Sequence, residues 1–407
     1  VDILSLISRG SESQPSDPSG SVPLTSGHVV SLHPSWDVID ATKLKTFSVC
    51  MRKGFLQYIL GWDSDYKNHD FIFGEAGHLA QAHLINEGYT LKAVEEAFNI
   101  FLTRYRKDFS EITDVDFHPK SPINMSNALI SYVQEYREDK FEVLYTEVAD
   151  KVLINEGLEV YFRLDAVLQH DNSLWVREKK FSKWRTKDWA DSWQLNVQPG
   201  LYNHVLHCIA GDRQVKGVEM DGTFFYKNEV KHERAWVSPN ADEMEAARWD
   251  IISLVEDIYR NIESLKLESP SQPALKSFRK NTEACFAYYN KKCPYYQICN
   301  GCSNPLRVLD NNNGEPPTGY VRKFWDPTKV DRFKPFLLPI AKVVPQMGRV
   351  RCTVVKEDNS YIKDDVCFSC SSCGTPLFGR ENKCRDCMMK PIQTGVKYTN
   401  SSIPYFE

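Results

Sequence analysis

The chain has 407 residues, 42% hydrophobic and 26% charged, and 50 Lys and Arg against 54 Asp and Glu leave a net charge of −4. That balance fits a soluble globular protein with a substantial core and two or three domains; it excludes a disordered chain and confines any nucleic-acid contact to local basic patches. No apolar run reaches membrane-spanning length, and the opening VDILSLISRG does not read as a signal peptide, so no membrane association is expected.

Residues 1–34 are rich in Ser, Pro and Gly and lack apolar periodicity, which reads as a flexible leader. Helical apolar spacing begins at Ala41–Gly61, with Cys50 inside it. A second helix is expected over Gly74–Glu87, with His78 in its early part, and further helices over Leu91–Arg106 and Ile123–Glu138. Strands follow at Glu142–Ile154, Leu158–Leu168 and Leu174–Phe181.

Between the last two, His170-Asp171-Asn172-Ser173 is a group of turn formers, so Tyr161–Ser182 reads as a hairpin. Alternate side chains of a strand share a face, which sets Glu178 and Lys180 together and Lys179 apart. Pairing across the turn brings Asp165 toward Glu178. Two carboxylates and a lysine at strand ends suit a hard divalent cation with an ammonium that holds or polarises a water. The same D…ExK spacing also arises by chance on exposed strands, so its weight depends on the rest of the chain.

Arg177, Lys179, Lys180, Lys183, Arg185 and Lys187 form a basic run, either a nucleic-acid patch or a solvated surface. Trp189–Ile209 looks largely helical, the better helix starting at Pro199. Gln198 and Tyr202, four apart, share a face. Strands at Val215–Tyr226 and Arg234–Val237 and a long helix over Ala241–Lys266 complete an α/β or α+β domain with a central mixed sheet.

In this order the residues resemble the RecB-type branch of the PD-(D/E)xK nuclease superfamily. The matching positions are the GxxxH-like stretch Gly74–His78, Glu147, Asp165, Glu178-Lys179-Lys180, and Gln198 with Tyr202. The resemblance covers about residues 36–302. It departs at Phe162-Arg163-Leu164-Asp165, where only the basic residue of the usual Gly-Arg pair is kept, in a longer segment after Lys180, and at Pro199. The resemblance implies a PD-(D/E)xK core, with helices around its mixed sheet, in a metal-dependent DNA nuclease, an exonuclease on ends or single strands. Asp165 and Glu178 would then hold Mg²⁺ or Mn²⁺ with His78 and the Lys179 carbonyl, and Lys180 would position the attacking water. Gln198 and Tyr202 would support the site, Glu147 would stand behind it, and Arg177, Lys183 and Arg185 would meet nucleic acid. A non-catalytic nucleic-acid-binding or assembly subunit is the alternative; a helicase or recombination partner is compatible with both, as no GxxxxGK[ST] loop is present.

The twelve cysteines are clustered, which argues for metal binding in a reducing, cytoplasmic compartment. Cys285, Cys293 and Cys299 resemble the C-terminal cysteines of the superfamily's iron–sulfur subgroup, with Cys50 at the place of the upstream fourth ligand of a [4Fe–4S] cluster. A local zinc site of Cys285, Cys293, Cys299 and Cys302 is the competing reading. Asn304–Pro317 reads as the start of a linker over residues 303–350. In residues 351–407, Cys370-Ser-Ser-Cys373 and Cys384-Arg-Asp-Cys387 have the spacing of a zinc-ribbon-like module, with Cys367 as a substitute ligand and Cys352 as a bystander. Before it lies a basic and aromatic stretch that includes Tyr320, Arg322, Lys323, Phe324 and Trp325.

Overall fold

The computed structural model describes residues 22–25, 27–155, 157–286 and 292–329, and the strands at 341–346, 349–355 and 361–365. Two short strands, β1 (Val22–Pro23) and β2 (Ser31–Leu32), pair antiparallel, and Val30 between them is fully buried. The end of the expected leader is therefore docked. Burial of Val30 and a contact of the His28 ring (Nε2) with the Leu265 carbonyl, 3.0 Å away, tie it to the body.

The expected first helix is split. Asp40 caps α1 (Ala41–Val49) by accepting from the Lys43 N–H at 2.8 Å. Cys50 then takes an extended conformation, φ −162° and ψ 112°, before α2 (Met51–Gly54) runs into a π-helical turn, Phe55–Ile59. β3 (Trp62–Ser64) follows, and then α3 (His69–Glu87), capped by Asn68, with α4 (Leu91–Tyr105) and α5 (Pro122–Tyr136).

The centre is a five-stranded sheet in the order β4 (Glu142–Asn155), β5 (Leu158–His170), β6 (Ser173–Ser182), β7 (Gln214–Phe225), β8 (Val230–Val237). All neighbours are antiparallel except β6 and β7, whose parallel pairing needs a crossover. That crossover is α6 (Val197–Ile209), two residues longer at its start than the proline suggested, because Asn196 caps it by accepting from the Gln198 N–H at 3.0 Å. The hairpin turn sits where expected, His170 opposite Ser173, with Asp171 at φ 51°.

One face of the sheet is covered by α1, α6 and α7 (Ala241–Leu265), through Leu44, Leu201, Val205, Ile251 and Val255. The other carries α3, α4 and α5, through Phe73, Ala97, Phe101, Met125 and Leu129. A second core joins the π-helical turn Phe55–Ile59 and α7 to the segment beyond residue 270. Here the linker expectation fails. After the short helix α8 (Tyr296–Gly301), Asn304 caps α9 (Pro305–Asn311), and Leu306 and Leu309 are buried in that core. Their burial outweighs the polar composition around them. The chain then returns as β9 (Tyr320–Arg322), paired with β3, and a separate sheet is formed by β10 (Ala341–Gln346), β11 (Arg349–Val355) and β12 (Tyr361–Asp365). Cys367, Cys370, Cys373, Cys384 and Cys387 lie outside the described residues. No helix among the described residues is long and apolar enough to cross a membrane.

Candidate active site

Alternation along β6 sets Glu178 and Lys180 on the α6 face, and α6 answers with one turn of helix. Lys180 Nζ donates to Glu178 Oε1 at 2.7 Å and to Gln198 Oε1 at 3.1 Å. Gln198 Nε2 donates back to Glu178 Oε1 at 2.8 Å and to the Tyr202 hydroxyl at 3.0 Å. The i, i+4 pair read from the sequence is thus a physical unit that fixes both the lysine and the glutamate. Lys180 also lies 5.5 Å from the Trp193 ring centroid, which restricts its stem further.

Asp165 faces Glu178 just beyond the last β5–β6 ladder pair, Ala166 with Arg177. The strands part there, and Asp165 Oδ2 accepts the Lys179 peptide N–H at 2.7 Å in place of a ladder bond. The same oxygen lies 3.1 Å from His78 Nδ1 on α3. His78 reaches it because α3 rides close over β6: a Cβ on Gly77 would fall 2.8 Å from the Phe181 ring. Gly74, the glycine of the GxxxH-like stretch, has open space where its Cβ would be.

Glu147 completes the group. It sits opposite Asp165 on β4, flanked by the pairs Thr146–Ala166 and Val148–Leu164, and its φ of 53° is left-handed. A non-glycine residue held there costs about 1–3 kcal/mol, and such positions cluster at functional sites. One ligand atom each from His78, Glu147 and Asp165 lies within 4.8 Å of the others. The sequence had placed Glu147 behind the site; the strained backbone puts it in the cluster.

The electrostatics fit a cation. Burial, and then the Asp165 charge, push the Glu147 carboxyl up to about 7 and the Glu178 carboxyl up as well. Burial acts the same way on Asp165, yet His78, Lys179 and Lys180 overcome it and hold this carboxyl below the usual range. Glu147 Oε1 and Glu178 Oε2 are buried acceptors without a hydrogen-bond partner. Three carboxylates and an imidazole in this state are a donor set for a hard or borderline divalent ion.

The basic run divides. Arg177 is 2% exposed, with Nε donating to Glu219 Oε2 at 2.5 Å and a guanidinium N–H to Asp139 at 3.3 Å. It shares the Lys179 face, under α5, and its expected contact with nucleic acid is ruled out by burial. Arg185 is engaged by Glu233, and Lys183 lines a different cavity. Lys179 itself is fully buried, its ammonium acting on Asp165, Glu147 and Asp221.

That other cavity, about 620 Å³, is lined by Cys50, Cys285, Cys293 and Cys299 together with Lys53 and Lys280. The break after α1 turns Cys50 toward the C-terminal segment, where the Asn281 N–H meets its sulfur at 3.3 Å. Burial pushes the Cys299 thiol up to about 11 and the Cys293 thiol up. Cys302 is not among the lining residues and donates instead to the Asn304 carbonyl at 3.0 Å.

Two further cavities, about 600 and 380 Å³, meet over the acidic cluster; His78, Arg163, Lys180 and Trp325 line both. Trp325 comes from the segment after β9, some 160 residues from the hairpin, and no local signal could have placed it.

The family model of the PD-(D/E)XK nuclease superfamily matches residues 39–300. No curated protein matches the chain. Among solved structures, that of SSO0001 aligns over 46% of this chain and 74% of its own, at 12% identity and a TM-score of 0.22. With more than half its length matched, the chain belongs to the PD-(D/E)XK nuclease superfamily, whose members are nucleases that use divalent metal ions.

Proposed function

We propose that the protein is a Mg²⁺- or Mn²⁺-dependent deoxyribonuclease, an exonuclease acting on ends or single strands. The observation that carries this reading is the convergence of His78, Glu147 and Asp165 beside the tethered Glu178–Lys180–Gln198 unit. His78, Glu147, Asp165 and Glu178 would hold the cation, with the Lys179 carbonyl as a further ligand. A bound divalent ion there supplies a Lewis acid for the charge that develops on the phosphate and the leaving 3′-oxygen. Uptake is coupled to proton loss from Glu147, whose carboxyl is pushed up to about 7, so affinity rises with pH. Lys180, fixed by Glu178 and Gln198, donates to the attacking water and orients it toward phosphorus. Tyr202 fixes Gln198, and the buried Tyr202 ring closes the floor.

The four cysteines of the second cavity support a structural [4Fe–4S] cluster that joins the end of α1 to the C-terminal part of the core. Cys302, turned to Asn304, weakens the local zinc alternative. Cys370, Cys373, Cys384 and Cys387 are proposed as zinc ligands on spacing alone.

Cleavage of end-labelled single- and double-stranded DNA with Mn²⁺, Mg²⁺ or EDTA tests the nuclease, with Glu178→Ala and Lys180→Ala as controls. Metal-dependent products lost in both variants are expected, and the product ladder reports polarity. Tight DNA binding without cleavage under any condition would move the protein to a binding subunit. For the cluster, iron and sulfide analysis of anaerobically purified protein should show stoichiometric loss in Cys50→Ser and none in Cys302→Ser.

A further inference from the structure

Trp325 lies outside the 39–300 match, on a segment that the second core anchors and then throws across the active site. β9 pairs with β3, Trp62 opposite Arg322 and Ser64 opposite Tyr320, and the Lys323 N–H donates to the Gly61 carbonyl at 2.7 Å. Phe324 stacks on His33 with centroids 4.3 Å apart and planes 7° from parallel. The Trp325 indole N–H donates to Asp40 Oδ2 at 2.8 Å, the same carboxylate that caps α1. Each residue of this strap is thus held by a separate partner, and the indole is fixed where the two cavities over the acidic cluster meet.

The cavity beside it has a distinctive lining. Phe71, on the first turn of α3, lines it and is 62% exposed. Arg163, Lys180, Lys323 and Lys329 line it as well. The two strap lysines are exposed and reach acidic neighbours only loosely, Lys323 to Asp63 at 3.7 Å and Lys329 to Asp326 at 3.5 Å. Exposed pairs of this length are worth little and give way readily to a stronger anion. Aromatic faces beside exposed cations are what a single strand of nucleic acid needs: rings for the bases and charges for the phosphates. A duplex keeps its bases stacked inside and has no use for exposed rings.

We propose that the strap and α3 form a single-strand lane, in which bases stack on Trp325 and Phe71 while Lys323 and Lys329 carry the phosphates that lead into the acidic cluster. Trp325 is a positioning residue: it holds the strand, and the cluster acts on it. The proposal rests on the nuclease reading and assigns that site its substrate form.

The test is fluorescence anisotropy of the full chain in EDTA, titrated into labelled oligo-dT and into a blunt duplex of equal length. Trp325→Ala should weaken oligo-dT binding by about 5- to 150-fold, the range for loss of one stacking platform, and leave duplex binding nearly unchanged. Trp325→Phe keeps a ring but loses the bond to Asp40, and should stay within a few-fold of the native chain. Lys323→Ala with Lys329→Ala should flatten the salt dependence by about 1.4 in log–log slope, about 0.7 per phosphate contact on a single strand. Abasic sites in the oligo-dT should weaken binding by the native chain more than by Trp325→Ala, which keeps only the Phe71 ring, and the penalty should vanish when Phe71→Ala is added, a result that a purely structural tryptophan cannot give. Oligo-U in the same titration separates DNA from RNA as the source of the strand. Equal binding by Trp325→Ala and the native chain, or equal damage in Trp325→Phe and Trp325→Ala, overturns the lane. If metal-dependent cleavage persists in that case, the nuclease stands without it. Trp325-dependent binding with no cleavage by the native chain leaves the lane and removes the nuclease.

Discussion

Strand β6 carries two buried charge clusters, one on each face, and they are built on opposite principles. On the α5 face, Arg177 and Arg234 meet Glu219, Asp221 and Asp139, and Tyr132 donates to Asp221 at 2.5 Å. Each of these carboxylates has at least one guanidinium or phenol partner. On the opposite face and at the strand ends, Glu147 and Asp165 converge with His78, Glu178 feels the Asp165 charge, and Glu147 Oε1 and Glu178 Oε2 are unpartnered. The first cluster sets two arginines against three carboxylates, in the planar geometry that guanidinium offers them, and leaves Asp221 Oδ1 as its unpartnered carboxylate oxygen. The second is left electron-rich, and the fold bears the strain of Glu147 to keep it so. Buried charge alone therefore does not mark a site; a convergence of carboxylates and an imidazole without a guanidinium among them does.

Removing a charge should separate the two clusters. Arg177→Ala leaves buried carboxylates uncompensated and should cost about 3–5 kcal/mol of stability in urea unfolding, the usual result of breaking a buried pair from one side. Cleavage per folded molecule should change little. Glu178→Gln or Asp165→Asn should do the reverse: cleavage falls by about 100- to 1,000-fold, the range for loss of one electrostatic stabiliser, while the melting temperature holds or rises. A stability loss in Glu178→Gln as large as that in Arg177→Ala would erase the distinction. Gln198→Ala removes charge-assisted hydrogen bonds to Lys180 and Glu178, and should lower cleavage by about 10- to 100-fold with the metal requirement unchanged.

Acid should act through histidines outside the site. Burial pushes His204 and His232 down to about 4. The unfolded chain protonates them near 6.5 and the folded chain does not until about 4, so the unfolded state binds more protons between those values and stability falls as pH drops. By pH 5.5 each should cost about 1 kcal/mol, read as a lower urea midpoint, and His232→Asn should remove its share. A midpoint flat from pH 7 to pH 5 would show that neither ring is held neutral.

Short-range features were legible in the sequence. The turn at Asp171-Asn172, the pairing that sets Asp165 against Glu178, and the helical spacing of Gln198 and Tyr202 follow from periods of two and four residues. Strand alternation even placed Arg177 on the face away from Glu178, but the basic run around it obscured that parity. Asn304–Pro317 misled for a related reason: its polar residues are typical of linkers, and the two leucines that dock α9 belong to a core with residues far along the chain, among them Phe55, Leu56, Ile258 and Ile262.

By itself, then, the sequence determined the hairpin, the shared face of Glu178 and Lys180 and the shared face of Gln198 and Tyr202, because local geometry brings these together. The tertiary structure alone decided that Glu147 joins His78 and Asp165, that Arg177 is sealed beneath α5, and that Trp325 roofs the site. The physical reason is the same in each case. Burial, backbone strain and ion pairing depend on which elements pack against one another, and no period within the chain encodes that.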